Sequence, residues 1–280
     1  MRGLSDLNNN SGGGGGSAGQ AGGGGCGECI KNMWANTPLW TRTLLIVCVS
    51  IYALSWLTPL VLYGLFCSPP LVIYKFQVWR LFTGLFVHPQ LLTLLFALMS
   101  HLPHANNAEK TIGTVRYFFR FWMCGFITLL MFTIVCGIAQ LQQFAIGLWP
   151  MLFCDLVIEC MATPDAVQGL CCLPIQIKRK WYPLILIAIF SLFFFQLDMW
   201  FGLAVGYMYH YGLFKRIEMG SGKATTLENK WPFKRFKEKP YFITAGAAMG
   251  GTLSVGSVLN GGSSSSARET ADNEASAAST

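Results

Sequence analysis

Charge is scarce in this sequence and confined in position. No lysine or arginine occurs in residues 43–74, 81–109 or 121–177, and charged residues make up only 12% of the chain. An average soluble domain carries roughly 25%, so an ordinary water-facing surface is excluded over most of the length. The formal net charge of +7 belongs to loops and tails, which makes it a topology signal rather than a nucleic-acid footprint. No nucleic-acid partner is expected. A disulfide framework is lacking too, because Cys48, Cys124, Cys136, Cys154 and Cys160 fall inside apolar runs, where cysteine behaves as a small hydrophobe. Cys26 and Cys29 form a lone CxxC in a glycine-rich tail, far from the Cys171–Cys172 pair. A zinc site joining them would need the tail to fold back, so neither metal nor cofactor is expected. The opening Met1-Arg2-Gly3-Leu4 leads into polar and glycine residues, and no cleavable signal peptide is expected.

What the sequence has is apolar length: 53% of its residues are hydrophobic. A run of about 20 such residues crosses a hydrocarbon core of ~30 Å as a helix. The runs predict an all-α polytopic membrane protein with six spans, at Thr43–Phe66, Leu81–Ser100, Tyr117–Ile138, Ile146–Met161, Pro183–Leu197 and Met199–Phe214. The last two are short for an average bilayer. Cys67–Gln77, His101–Arg116 and residues 163–182 read as aqueous loops, the second with a helical turn. The organisation expected is a glycine-rich disordered tail over 1–37, a membrane domain over 38–214, and a basic, then Ser/Gly-rich disordered tail over 215–280. With both termini in the cytosol, the inside receives Arg42, Lys110, Arg116, Arg120, Lys178-Arg179-Lys180, Lys215, Arg216 and the tail charges. Lys75 and Arg80 remain outside, as the positive-inside rule requires.

Three motifs occur in order on this frame: Phe76-Gln77-Val78-Trp79-Arg80-Leu81-Phe82-Thr83, Glu109-Lys110-Thr111-Ile112-Gly113, and Gly202-x-x-x-Gly206. Together they resemble the rhomboid-like superfamily over about residues 38–214: its tryptophan–arginine motif (Trp79, Arg80), its ExxxG closing span two (Glu109, Gly113), and its small-residue motif in span six (Gly202, Gly206). Arg80 would face lipid headgroups, and the paired glycines would let helix backbones approach closely. His88 matches a family histidine near the membrane boundary.

The resemblance also supplies a catalytic test. Rhomboid proteases need a serine in a GxSG turn opening span four, a histidine base in span six, and oxyanion donors in span two. Here Ala145-Ile146-Gly147-Leu148-Trp149-Pro150 puts Trp149 at the serine. Met199 stands at the histidine, and Thr93 and Ala97 stand at the donor positions. No serine occurs between Ser100 and Ser191. The expectation is a pseudoprotease, with no enzymatic activity. Asp198-Met199-Trp200-Phe201-Gly202 and the residues after it resemble the last span of derlins. That likeness implies membrane-protein quality control, degradation or trafficking in the endoplasmic reticulum, with the Golgi as the other candidate membrane. The implied partners are transmembrane clients, a ubiquitin ligase or degradation machinery reached through the tails, and the lipid bilayer, which two short spans would thin. An active intramembrane serine endopeptidase is the competing expectation.

Asp155 and Glu159 stand at i and i+4 on one face of span four, where a carboxylate is costly unless paired or facing a polar cavity. They form a candidate polar intramembrane site, and His101 or His104 is the partner the sequence offers. An aspartyl protease would need a second facing aspartate, and Asp198 belongs to the opposite membrane surface.

Overall fold

The longest apolar runs make the longest helices. The structure, a computed structural model, describes residue 31 and residues 34–170, 173–193, 196–230 and 233–248. The expectations for residues 1–30 and 249–280, for the Cys26–Cys29 motif and for Cys171 and Cys172 therefore lie outside the described residues. Two described helices are long and apolar enough to cross a membrane: α1, Leu39–Leu57, and one at Thr114–Ile138 (α6 below). A third candidate is a broken pair, Arg80–Phe86 and Leu91–Ile112, whose two parts meet at 93°.

Proline sets the first break. Thr58 is extended at φ −145°, as a residue preceding proline prefers, and Pro59 opens a separate helix, α2, Pro59–Leu65. The expected span one therefore starts four residues early and ends in a kink. The following loop contains α3, Pro69–Lys75, and then α4, Arg80–Thr83, which runs into a 3-10 turn at Gly84–Phe86.

Span two is corrected at both ends. Its first residues belong to α4 and the 3-10 turn, which lie across the main helix, and α5, Leu91–Ile112, continues far beyond Ser100. His101–Ile112 is helix and not loop. Pro103 removes one backbone hydrogen bond but does not end α5, as neighbouring helices allow in membrane bundles. His104, Asn107 and Glu109, which suggested a loop, find hydrogen-bond partners on other helices.

Gly113, at φ +90°, turns the chain into α6, Thr114–Ile138. A left-handed residue is needed there, and a Cβ would also approach Ala245 Cα to 3.2 Å. The fourth expected span is α7, Trp149–Ala162, with Pro150 in its first turn, where a missing N–H costs nothing. Residues 163–182 contain an antiparallel hairpin, β1 Val167–Leu170 and β2 Leu173–Lys178, a small β element in an otherwise helical molecule. Then come α8, Tyr182–Phe193, and α9, Leu197–His210.

Beyond α9, the described residues through 230 and over 233–248 fold back onto the bundle. Ala224 of helix α10, Ser221–Glu228, packs on Val115 of α6 with Phe242 and Ala245 of the segment that follows a 3-10 turn at Phe233–Arg235. Backbone bonds run from Leu39 N to Tyr241 O (2.8 Å) and from Thr114 N to Ile243 O (2.9 Å). The disorder expected from residue 215 onward is thus overturned over the described residues 215–230 and 233–248. Apolar side chains spaced too irregularly to read as a helix find partners at the ends of α1 and α6.

Candidate functional site

At one end of the bundle the loops are tied together around Arg80. Its guanidinium donates to Gln77 Oε1 (2.6 Å) and to the carbonyls of Tyr63 and Phe66 (both 2.8 Å), and it lies over the Phe66 ring. A cation at the last carbonyls of α2 suits the negative end of that helix. Arg80 is 5% exposed, so the expectation that it faces headgroups is corrected: it holds α2 and α4 together. Trp79, half exposed, donates to Gly64 O at 3.3 Å. Cys67 and Ala145 form an isolated antiparallel bridge, and Gly147 N donates to Gly84 O at 2.9 Å. A Cβ on Gly84 would lie 2.9 Å from Cys67 Cβ, so this stitch needs glycine. Burial pushes the Cys67 thiol up to about 11, against a smaller lowering by its contact with Thr133.

His88 belongs to the same stitch. Its Nδ1 faces Phe86 O at 3.3 Å and its Nε2 faces Leu148 N at 3.5 Å. Those partners assign the neutral ring with the proton on Nδ1, donating to the carbonyl and accepting from the amide. Gly147, at φ +89°, passes so close that a Cβ would meet His88 Nε2 at 2.9 Å. The imidazole positions the turn that opens α7.

Next to this turn lies a cavity of about 350 Å³, lined by Thr93, Phe96 and Ser100 of α5, Trp149 of α7, Phe190 of α8 and Met199 of α9, among others. Three of the four positions singled out from the sequence, Thr93, Trp149 and Met199, thus meet on one wall system. The fourth, Ala97, is buried on the adjoining turn of α5. Trp149 packs its indole on Phe190 at 5.4 Å, and the Thr93 hydroxyl donates to Gln90 O at 2.7 Å. Hydroxyls of Thr93 and Ser100 are present, yet none of the described cavity-lining residues is a histidine, lysine or carboxylate that could take a proton from them.

The two glycines of α9 hold this geometry. A Cβ on Gly202 would come within 2.1 Å of Pro150 O, and one on Gly206 within 2.9 Å of Cys154 O. Backbone meets backbone where α9 crosses α7, as small residues permit.

Glu109 and Gly113 act at the opposite, basic end. Buried Glu109 accepts from the Trp40 and Thr41 amides (both 2.9 Å), the Thr41 hydroxyl and the Thr114 hydroxyl (both 2.8 Å). Pro38 precedes α1 and has no capping side chain, so a carboxylate from another helix satisfies amides the helix start leaves open.

The polar intramembrane pair separates into two partnerships. Glu159 pairs with His104 at 2.5 Å, and Arg179 and Asn107 add bonds at 3.4 and 3.1 Å. His104 was one of the two partners expected. Asp155 instead accepts from the Tyr117 hydroxyl (2.7 Å) and pairs with Arg120 Nη2 (3.2 Å), both from α6 and both buried. Sequence reading missed this, because Arg120 near the start of an apolar run reads as a flanking charge. His101 is buried, and neither ring nitrogen has a hydrogen-bond partner in the structure. Asp198 is also buried, at the start of α9, and accepts from Met199 N at 2.9 Å. No cluster of three metal-ligating side chains occurs among the described residues.

A family model described as Rhomboid domain matches residues 75–216, just over half of the chain. The chain belongs to the rhomboid family. Its match runs from the tryptophan–arginine loop through α9 and includes the whole cavity. Among curated proteins, Rhomboid-like protein 15 of Arabidopsis thaliana is 29% identical over 231 residues, covering 76% of this chain. The chain spans 56% of that relative's length. The rhomboid family contains both active proteases and inactive members.

Proposed function

We propose that this chain is a rhomboid-family pseudoprotease that binds transmembrane segments of client proteins and locally thins the bilayer. The observation that carries the reading is the wall of the α5–α7–α9 cavity, where Trp149 and Met199 stand at the family's serine and histidine positions. An indole cannot attack a carbonyl, and a thioether takes no proton at neutral pH. Thinning is favoured by helix length. Helices α7, α8 and α9 have 14, 12 and 14 residues, roughly 18–21 Å at 1.5 Å per residue against a ~30 Å hydrocarbon core. A bilayer compressed to meet them presents a lower barrier to polar segments.

The cellular role that fits is membrane-protein quality control, degradation or trafficking in the endoplasmic reticulum, with the Golgi as the other setting. The termini would lie in the cytosol, in reach of ubiquitin-ligase or degradation machinery. The likeness of α9 to the last span of derlins supports this role.

The competing reading, an active serine endopeptidase, rests on Ser100, a residue that lines the cavity. Purified chain in liposomes with a transmembrane substrate and a serine-directed fluorophosphonate probe separates the two. The expected outcome is no cleavage and no labelling. Cleavage that the probe blocks and Ser100→Ala removes would overturn the pseudoprotease reading.

A further inference from the structure

The segment after span six is folded, and its charges are sorted. Residues 215–239 carry eight exposed basic side chains: Lys215, Arg216, Lys223, Lys230, Lys234, Arg235, Lys237 and Lys239. Two of its three acids are engaged within the fold. Glu218 accepts from the Tyr209 hydroxyl and pairs with Arg116. Glu228 is buried and accepts from Ala245 N at 2.7 Å. Glu238 alone of the three is exposed. A solvated tail chosen only for solubility would show both signs. This one displays eight basic side chains against one fully exposed acid, Glu238.

The fold also fixes where this surface sits along α6. The Phe233 ring packs edge-on to Phe118 at 5.8 Å, and Phe118 lies one turn inside α6, about 6 Å past its start. Phe233 thus lies beside the first turns of α6. Lys234, Arg235, Lys237 and Lys239 follow it directly, with Phe236 exposed among them. Tyr211, Leu213 and Ile217, just beyond α9, are exposed as well. Apolar rings at the interface with lysines beside them are the arrangement that partitions to a charged membrane surface.

We propose that residues 215–239 form a docking surface for anionic phospholipid headgroups on the leaflet next to the basic end of the bundle. Lys234, Arg235, Lys237 and Lys239 make the headgroup contacts, and Phe233 and Phe236 set the depth. Such contact gathers anionic lipid beside α1 and α6 and holds the 241–245 segment against their ends.

The test is lipid selectivity of the full chain in phosphatidylcholine vesicles doped with spin-labelled phosphatidylserine or phosphatidylcholine. Electron spin resonance reads the motionally restricted fraction of each label. The wild type should favour phosphatidylserine by about threefold or more. The preference should fall to near parity in the Lys234→Gln/Arg235→Gln/Lys237→Gln/Lys239→Gln variant, and in salt near 1 M, where the screening length is ~3 Å. Lys178→Gln/Lys180→Gln, which removes charge from the hairpin instead, should keep it. Should the glutamine variant fail to fold, Lys234→Arg/Lys237→Arg/Lys239→Arg, which should keep the preference, and the salt titration of the wild type still decide. No preference in the wild type, or an equal loss in the hairpin variant, overturns the proposal. So does a preference that soluble polyglutamate abolishes, since that assigns the surface to an acidic protein.

Discussion

Arg120 and Asp155 form a buried ion pair whose value depends on both members being present. Removing one leaves the other uncompensated among apolar helices, at a cost of about 3–5 kcal/mol. Arg120→Met should therefore lower thermal stability in detergent sharply, and Arg120→Met with Asp155→Leu should recover much of the loss, as a double-mutant cycle would read. Gly202 makes a different demand. Its missing Cβ would lie 2.1 Å from a backbone oxygen, which cannot swing aside as a side chain could. Gly202→Ala should destabilise by about 1–3 kcal/mol, more than Gly206→Ala, whose nearest contact is 2.9 Å. Cys67 gives a chemical readout of the stitched loops. Since burial places its thiol at about 11, maleimide should label it slowly at pH 8 in the folded protein. Labelling should speed up as pH approaches that value, and a Gly84→Val variant that opens the stitch should be labelled quickly at pH 8.

At the scale of the element, legibility followed the source of each helix's stability. Helix α6 was readable within three residues at its start and to the residue at its end, because an unbroken apolar run specifies it. The second half of α5 was not, since His104, Asn107 and Glu109 look like loop residues until their partners on α7, α1 and α6 are known. The same holds for the chain at 215–248, whose order comes from Val115, Leu39 and Phe118 rather than from its own periodicity. The candidate site was legible in parts. Thr93, Trp149 and Met199 do converge, and the Gly202/Gly206 contact is where the motif put it. Arg80's inward turn and the Asp155–Arg120 partnership required three-dimensional knowledge of carbonyls and of a helix face. For the hairpin, Arg179→Ala should leave the fold intact but loosen the junction with α7. Arg179 reaches Thr163, Gln168 and Glu159 from one side chain, and faster amide exchange over β1–β2 would report the change.

For the molecule as a whole, the contrast in helix length matters more than any single contact. Helix α6, with 25 residues, reaches roughly 37 Å, while α8 reaches roughly 18 Å. No single bilayer thickness matches both as straight helices, and the thinning proposed above would fall on the α8 side. Reconstitution into phosphatidylcholines of graded chain length should show greatest thermal stability in bilayers thinner than average, with stability falling as acyl length grows. A stability maximum in thick bilayers would contradict the thinning mechanism.

The cap that Glu109 places on α1 has a bearing on how the protein is made. When α1 emerges from the ribosome its first amides have no acceptor of their own, and the carboxylate that will take them is encoded nearly seventy residues later. Until that residue arrives, α1 is an unfinished helix whose start must stay hydrated. Its final seating therefore waits on the delivery of α5, which makes the second long helix, and not the first, the element that closes the opening stage of assembly.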